Sequence, residues 1–131
     1  MRRSVIAVAI LPVAAANTQI PNAATEEYGQ KIVACTAKAD VDGEQCLAEL
    51  LAPVSEQLNR TFEAALVVAA NESRLVELRQ AQASWTKFVD AQCDFDMAQF
   101  RDGTGRWSVG YICRIERTAT RIDELKRVAG Q

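Results

Sequence analysis

The stretch Glu44–Ala70, EQCLAELLAPVSEQLNRTFEAALVVAA, decides the fold class. Leu47, Leu50/Leu51, Val54, Leu58, Phe62, Ala65/Leu66 and Ala69 recur every three or four residues. That spacing lines one face of a helix and is incompatible with the two-residue alternation of a strand. One residue objects. Pro53 lacks the N–H that an interior helical position donates, and its ring crowds the carbonyl four residues earlier. The stretch therefore reads as a long amphipathic helix that kinks or divides at Ala52.

The same period extends outward in both directions. Upstream, Tyr28, Ile32 and Cys35 fall at helical spacing between Thr25, read as the N-cap, and Lys38; Ala39–Gly43 reads as the turn. Downstream, Asn71-Glu72-Ser73 is a break. A further helix runs to about Met97, with Leu75, Leu78, Ala81, Trp85, Phe88/Val89 and Cys93 on one face. Phe100–Trp107 (FRDGTGRW) carries two glycines and reads as a loop. Ser108 then caps a last helix to about Val128, with Ile112, Ile115, Ala119, Ile122 and Leu125 inward. No segment sustains strand alternation. The class is all-α: a small antiparallel bundle of three to four helices joined by short loops.

Residues 1–16 stand apart from this pattern. Arg2 and Arg3 precede the short apolar run Ser4–Val13, and Ala14-Ala15-Ala16 supplies small residues before Asn17. The segment reads as a signal peptide cleaved near Ala16, leaving a domain over 17–131 in the periplasm or secreted. A buried N-terminal core helix is the competing reading, disfavoured by Pro12 and the small-residue cluster. No apolar run approaches the ~20 residues of a membrane span.

Without Arg2 and Arg3 the 15 basic residues become 13, against 17 acidic ones, a net charge of −4. The imbalance is local: residues 17–72 hold 3 basic and 9 acidic residues, and residues 73–131 hold 10 and 8. An acidic half without a basic cluster excludes nucleic acid, whose binding depends on Lys and Arg neutralising phosphates. It suits a cationic protein partner, or simply a solvated surface.

The four cysteines, Cys35, Cys46, Cys93 and Cys113, fit two disulfides in an exported domain. Zinc is a poor alternative, because no C-x-x-C pair and no histidine is present. Of three possible connectivities, Cys35–Cys46 with Cys93–Cys113 is favoured, since each pair brackets a turn between two helices. Loops of that size stabilise by about 3 kcal/mol each in the chain-entropy model.

Enzymatic chemistry finds little support. The chain has no histidine, and so lacks the commonest general base. It has no phosphate-cradling glycine loop and no metal motif; Asp94, Asp96 and Asp102 do not match an EF-hand loop. No cofactor is implied. Arg114, Arg117 and Arg121 share a helical face, the arrangement of an anion patch, but with Glu116, Asp123 and Glu124 nearby they read as a charged outer face.

Several of these pieces together resemble the LprI-like lysozyme-inhibitor family of bacterial envelope proteins. Ala81-Gln82-Ala83-Ser84-Trp85 is similar to the family's AQ-x-x-W signature, and Asp90-Ala91-x-Cys93 follows at the family's spacing. The glycines at 103 and 105, Cys113 and Thr118-x-x-Arg121-x-x-x-Leu125 come next, and Leu58-Asn59 stands at the family's Leu-Asn pair. Val89, Gln92 and Ser55 depart from positions that are charged in the family.

The resemblance singles out Asn59, Gln82, Trp85, Asp90 and Arg121. Trp85 reads as a core ring or, alternatively, as an exposed anchor for a partner. Gln82, one turn away, would belong to a polar network. Asp90 and Arg121 are expected to pair across the last two helices, and Asn59 to order a helix interface through its amide.

The resemblance implies a non-enzymatic exported protein that blocks a cationic muramidase by steric and electrostatic means. A periplasmic scaffold or assembly factor binding another envelope protein is the alternative. The first surfaces to inspect are the Phe100–Trp107 loop and the acidic N-terminal half.

Overall fold

The computed structural model describes residues 22–101 and 103–131; the expected signal peptide and Asp102 lie outside the described residues. Five helices follow one another: α1 (Ala23–Thr36), α2 (Asp40–Glu49), α3 (Leu51–Asn71), α4 (Leu75–Ala98) and α5 (Arg106–Ala129). No strand occurs among the described residues. Because only Leu50 separates α2 from α3, the two form the divided helix anticipated from Pro53, and the all-α bundle has the expected four-part plan.

The division falls at Leu50 rather than Ala52. Proline's missing donor and its ring both act on the carbonyl four residues before it, that of Glu49. The chain tightens there, the Leu50 N–H reaching the Leu47 carbonyl at 3.1 Å, and the helix resumes when Val54 N–H bonds the Leu50 carbonyl at 3.2 Å. Pro53 thus sits in the first turn of α3, where its missing donor costs little.

Helix α5 is the hub, packing against all four other helices. Its Ile115, Ala119, Ile122 and Leu125 are almost fully buried, and they meet Leu47, Val54, Leu58 and Ala65 from α2 and α3 and Tyr28 and Ile32 from α1. Burying each large side chain of this set contributes about 1.5–3 kcal/mol. A smaller cluster of Val89, Cys93 and Cys113 joins α4 to α5, and Trp85 packs against both clusters.

Two disulfides pin the ends of the helices. Cys35–Cys46 ties α1 to α2 with Cα atoms 5.4 Å apart, and Cys93–Cys113 ties α4 to α5 with Cα atoms 5.6 Å apart. This is the favoured connectivity.

Local punctuation differs from the sequence reading at several points. The turn after α1 occupies 37–39, so Gly43 lies inside α2. It is needed there for close approach, since a Cβ on Gly43 would stand 3.0 Å from the Cys35 carbonyl oxygen. Helix α5 begins at Arg106, two residues before the expected Ser108 cap. The α3–α4 corner at 72–74 closes as anticipated, with Ser73 in the left-handed region at φ 57°. Its N–H bonds the Ala70 carbonyl and the next N–H, from Arg74, bonds the Ala69 carbonyl at 2.7 Å, satisfying two carbonyls at the end of α3. Ala81 and Phe88, placed inward by the sequence reading, are exposed; Val89 is the buried member of its pair.

Thr25 is not an N-cap. Helix α1 begins two residues earlier, and its first turn is satisfied from elsewhere. Asp123 on α5, 2% exposed, accepts the N–H of Ala24 at 2.9 Å, the N–H of Thr25 at 2.9 Å and the Thr25 hydroxyl at 2.6 Å. A carboxylate here neutralises orphan donors and sits at the positive end of the helix dipole.

A candidate binding groove beside helix α2

The two regions singled out by the sequence, the acidic N-terminal half and the glycine loop, meet across one groove. It has a volume of about 560 Å³ and runs between α2 and the segment entering α5. Asp40, Val41, Glu44 and Leu47 line one wall, Thr104, Gly105 and Ser108 the other, and Thr36 and Lys38 close one end. Asp40 and Glu44 stand one turn apart and therefore share a helical face.

Two covalent links and one set of hydrogen bonds hold this geometry. Cys35–Cys46 fixes α2 against α1, Cys93–Cys113 fixes the second turn of α5 against α4, and Asp123 anchors the start of α1 to α5. The groove walls are thus set by the parts of the fold that are hardest to move.

Charge on α2 is one-sided. Asp40, Asp42, Glu44 and Glu49 are its charged residues, and none forms an ion pair among the described residues. Asp40 and Asp42 in the first turn are favoured by the helix dipole, but Glu49 in the last turn is opposed by it. Asp42 and Glu49 line a second concavity with Lys38, Gln45 and Cys46, where the Gln45 amide donates to Glu49 at 2.9 Å. Trp107, beside the groove-lining Ser108 in sequence, is 53% exposed beneath the Arg106 guanidinium, 5.4 Å from its ring centre, whereas the exposed Phe100 lines a separate concavity with Asp96, Val109 and Arg117.

The residues singled out by family resemblance lie elsewhere, on the α4–α5 seam and α3. Gln82 Oε1 accepts from Arg121 Nε at 3.0 Å, and Arg121 also donates to Glu124 at 2.7 Å. Trp85 is half-buried and bridges the two apolar clusters, in keeping with its core reading. The expected Asp90–Arg121 pair does not form: Asp90 is bound by Arg114 at 2.7 Å. The antiparallel register explains the substitution. With Cys93 opposite Cys113, Asp90 falls beside Arg114, while Arg121 lies two turns further on, beside Gln82. Asn59 is exposed on α3, one position past the buried Leu58, and does not order a helix interface.

The arginines of α5 form no anion patch. Arg114 is held by Asp90, Arg121 by Gln82 and Glu124, and Arg117 lies over the Phe88 ring at 5.6 Å. Asp123, expected on the outer face with them, is the buried cap of α1. A signal for this existed, since Asp123 stands four residues after Ala119 and eight after Ile115, on the inward stripe.

Two ionisable groups are displaced from their ordinary values, and neither lines the groove. Burial pushes the Tyr28 hydroxyl up, and the hydrogen bond to Glu27 holds the Lys31 ammonium up. No group of three or more acidic, cysteine or histidine residues among the described ones is arranged to hold a metal ion.

Fold and groove define a class: a small, all-helical, disulfide-stapled domain presenting an acidic recess on a rigid frame. The chain belongs to the family described as lysozyme inhibitor LprI, whose profile matches residues 34–125. No curated protein and no solved structure matches it. The match starts at the end of α1 and takes in both disulfides, the groove and the α4–α5 seam. Two disulfides fit a domain exported to an oxidising compartment. No described helix is long and apolar enough to cross a membrane.

Proposed function

We propose that the mature domain, released by cleavage near Ala16, is an exported binding protein that blocks a cationic lysozyme by occupying its substrate cleft. Family membership supplies the target class. The observation that carries the reading is the unpaired acidic face of α2 beside a recess of about 560 Å³. A basic side chain from the partner would lay its apolar stem against Val41 and Leu47 and bring its charge to Asp40 and Glu44. Trp107, 53% exposed and next in sequence to the groove-lining Ser108, would supply apolar contact area near it. Inhibition of this kind is steric and electrostatic, and needs no catalytic group in the inhibitor.

The test is a titration of the disulfide-intact mature chain against a cationic lysozyme lysing bacterial cell walls, repeated at rising salt. Inhibition that saturates near equimolar ratio and weakens with salt is the expected result, because long-range attraction between exposed charges is screened. No inhibition at large molar excess would overturn the reading and favour the alternative, a scaffold for another envelope protein.

A further inference from the structure

Helix α4 carries two apolar stripes, and only the inner one packs into the bundle core, the outer one meeting α5 where the Arg117 guanidinium lies over the Phe88 ring. The inner stripe, with Leu78, Trp85, Val89, Cys93 and Met97, packs into the bundle. On the outer side Ala81, Ser84, Phe88, Ala91, Phe95 and Ala98 repeat at alternating steps of three and four residues, the a/d pattern of a coiled-coil seam. All six are exposed, with Phe88 at 52% and Phe95 at 66%. The seam spans 18 residues, or about 26 Å from first to last at the helical rise. It is uncharged throughout, which is unusual for the solvent side of a helix in so charged a chain.

We infer that this stripe is a self-association surface, on which α4 of a second copy lies antiparallel. The flanking charges select both partner and direction. Lys87 and Asp94 precede Phe88 and Phe95, respectively, and so occupy the same flank of the seam one heptad apart. In an antiparallel pair that flank meets itself, so Lys87 of one copy falls beside Asp94 of the other, and the twofold axis generates the same contact again. A parallel pair would set Lys87 against Gln92 instead and form no ion pair.

Phe88 then packs against Phe95 of the second copy, and the reverse. Both pairings centre the axis near Ala91, where small side chains allow close approach of the helices. Both charges are available for this. Lys87 is in no ion pair among the described residues, and Asp94 has only a 3.8 Å contact with Arg114 while 73% exposed. The seam is short, so the dimer is weak, with a dissociation constant of roughly 1–100 µM. This surface lies on α4, apart from the α2 groove, and the inference does not depend on lysozyme being the target.

Sedimentation equilibrium of the disulfide-intact mature chain, from micromolar to near-millimolar concentration, tests it. The expected result is a monomer–dimer equilibrium abolished by the double variant Phe88→Ser/Phe95→Ser, with helical circular dichroism retained because both positions are exposed. Lys87→Asp alone and Asp94→Lys alone each weaken the dimer about tenfold, and the combined variant restores it to within about threefold. The charge reversals decide the matter if the phenylalanine variant does not fold. A monomer at every concentration overturns the inference, as does a dimer indifferent to these substitutions. A monomer that loses lysozyme binding in the Phe88→Ser/Phe95→Ser variant also overturns it, and assigns the stripe to the target instead.

Discussion

Along the α4–α5 seam Arg114 is held by Asp90, Arg121 by Gln82 and Glu124, and Arg117 lies over Phe88. Along α2, Asp40, Asp42 and Glu49 are exposed and Glu44 is half-buried, with no cation in bridging distance of any of them among the described residues. The two regions treat charge in opposite ways, and the seam is the less exposed, with the Arg121 side chain at 14% while Asp40, Asp42 and Glu49 lie open to solvent. On the seam, Arg114 and Arg121 have polar partners supplied by the chain, and the contacts orient helices already joined by Cys93–Cys113. On α2, like charges are gathered on ten residues and left to repel one another. Asp40 and Asp42 draw support from the helix dipole, but Glu44 and Glu49 do not, so these two are where substitutions should change binding without changing stability.

The sharpest test of the stabilising side is covalent. Reducing both disulfides should remove about 6 kcal/mol, taking about 3 kcal/mol for each loop. That is comparable to the whole stability of a typical small domain, about 5–15 kcal/mol. The helical signal should therefore be lost near 37 °C when thiol is added. A reduced protein with unchanged circular dichroism and melting temperature would show that the core alone holds the walls of the groove.

Next in size is Asp123→Ala, expected to cost about 2–4 kcal/mol. It removes three hydrogen bonds to a charged acceptor and leaves the Ala24 and Thr25 N–H groups without their partner. Denaturant unfolding would read the loss directly. A change below about 0.5 kcal/mol would mean that water replaces the carboxylate, and that the start of α1 is not anchored as described.

Gln82→Ala should cost about 1 kcal/mol, the value of one interhelical hydrogen bond whose other partner keeps Glu124. If this family-signature residue instead left stability untouched and weakened lysozyme inhibition, the seam would join α2 as a binding surface and the contrast between them would fail.

How much of this was legible in the sequence depends on the range of each interaction. The stripes of α3 and α5 were legible because their period is local, and the disulfide pairing followed from which turns the cysteines bracket. Contacts made across the bundle were not legible. The cap of α1 comes from Asp123, 99 residues from Ala24, so Thr25 was the natural local candidate for the role. Asp90 finds Arg114 because of the α4–α5 register, which one-dimensional spacing does not contain. The acidic half and the glycine loop were each visible as regions, but their meeting across one groove required the tertiary packing of α2 on α5. The outer stripe of α4 was masked by the inner one, because Ala81 and Phe88 sit close enough to the buried face to be counted with it.

The smallest stability effect belongs to Glu44→Gln/Glu49→Gln, and it separates the two regions most cleanly. Neither residue lies in the first turn of α2, so neither draws support from the dipole, and Glu49 is opposed by it. Amides are close in size to the carboxylates they replace, and Gln retains the helix propensity of Glu. The pair should therefore leave the unfolding free energy within about 0.5 kcal/mol of the parent, with any shift toward greater stability as repulsion along α2 falls. Binding to a cationic lysozyme should respond differently. Losing two of the four carboxylates of α2 that lack an ion pair should weaken it about tenfold at low salt, and the salt dependence should flatten, since fewer charges are left to screen. If the double variant unfolded more readily while still inhibiting fully, α2 would hold its acids for the fold's sake, and the target would have to be met somewhere other than this groove.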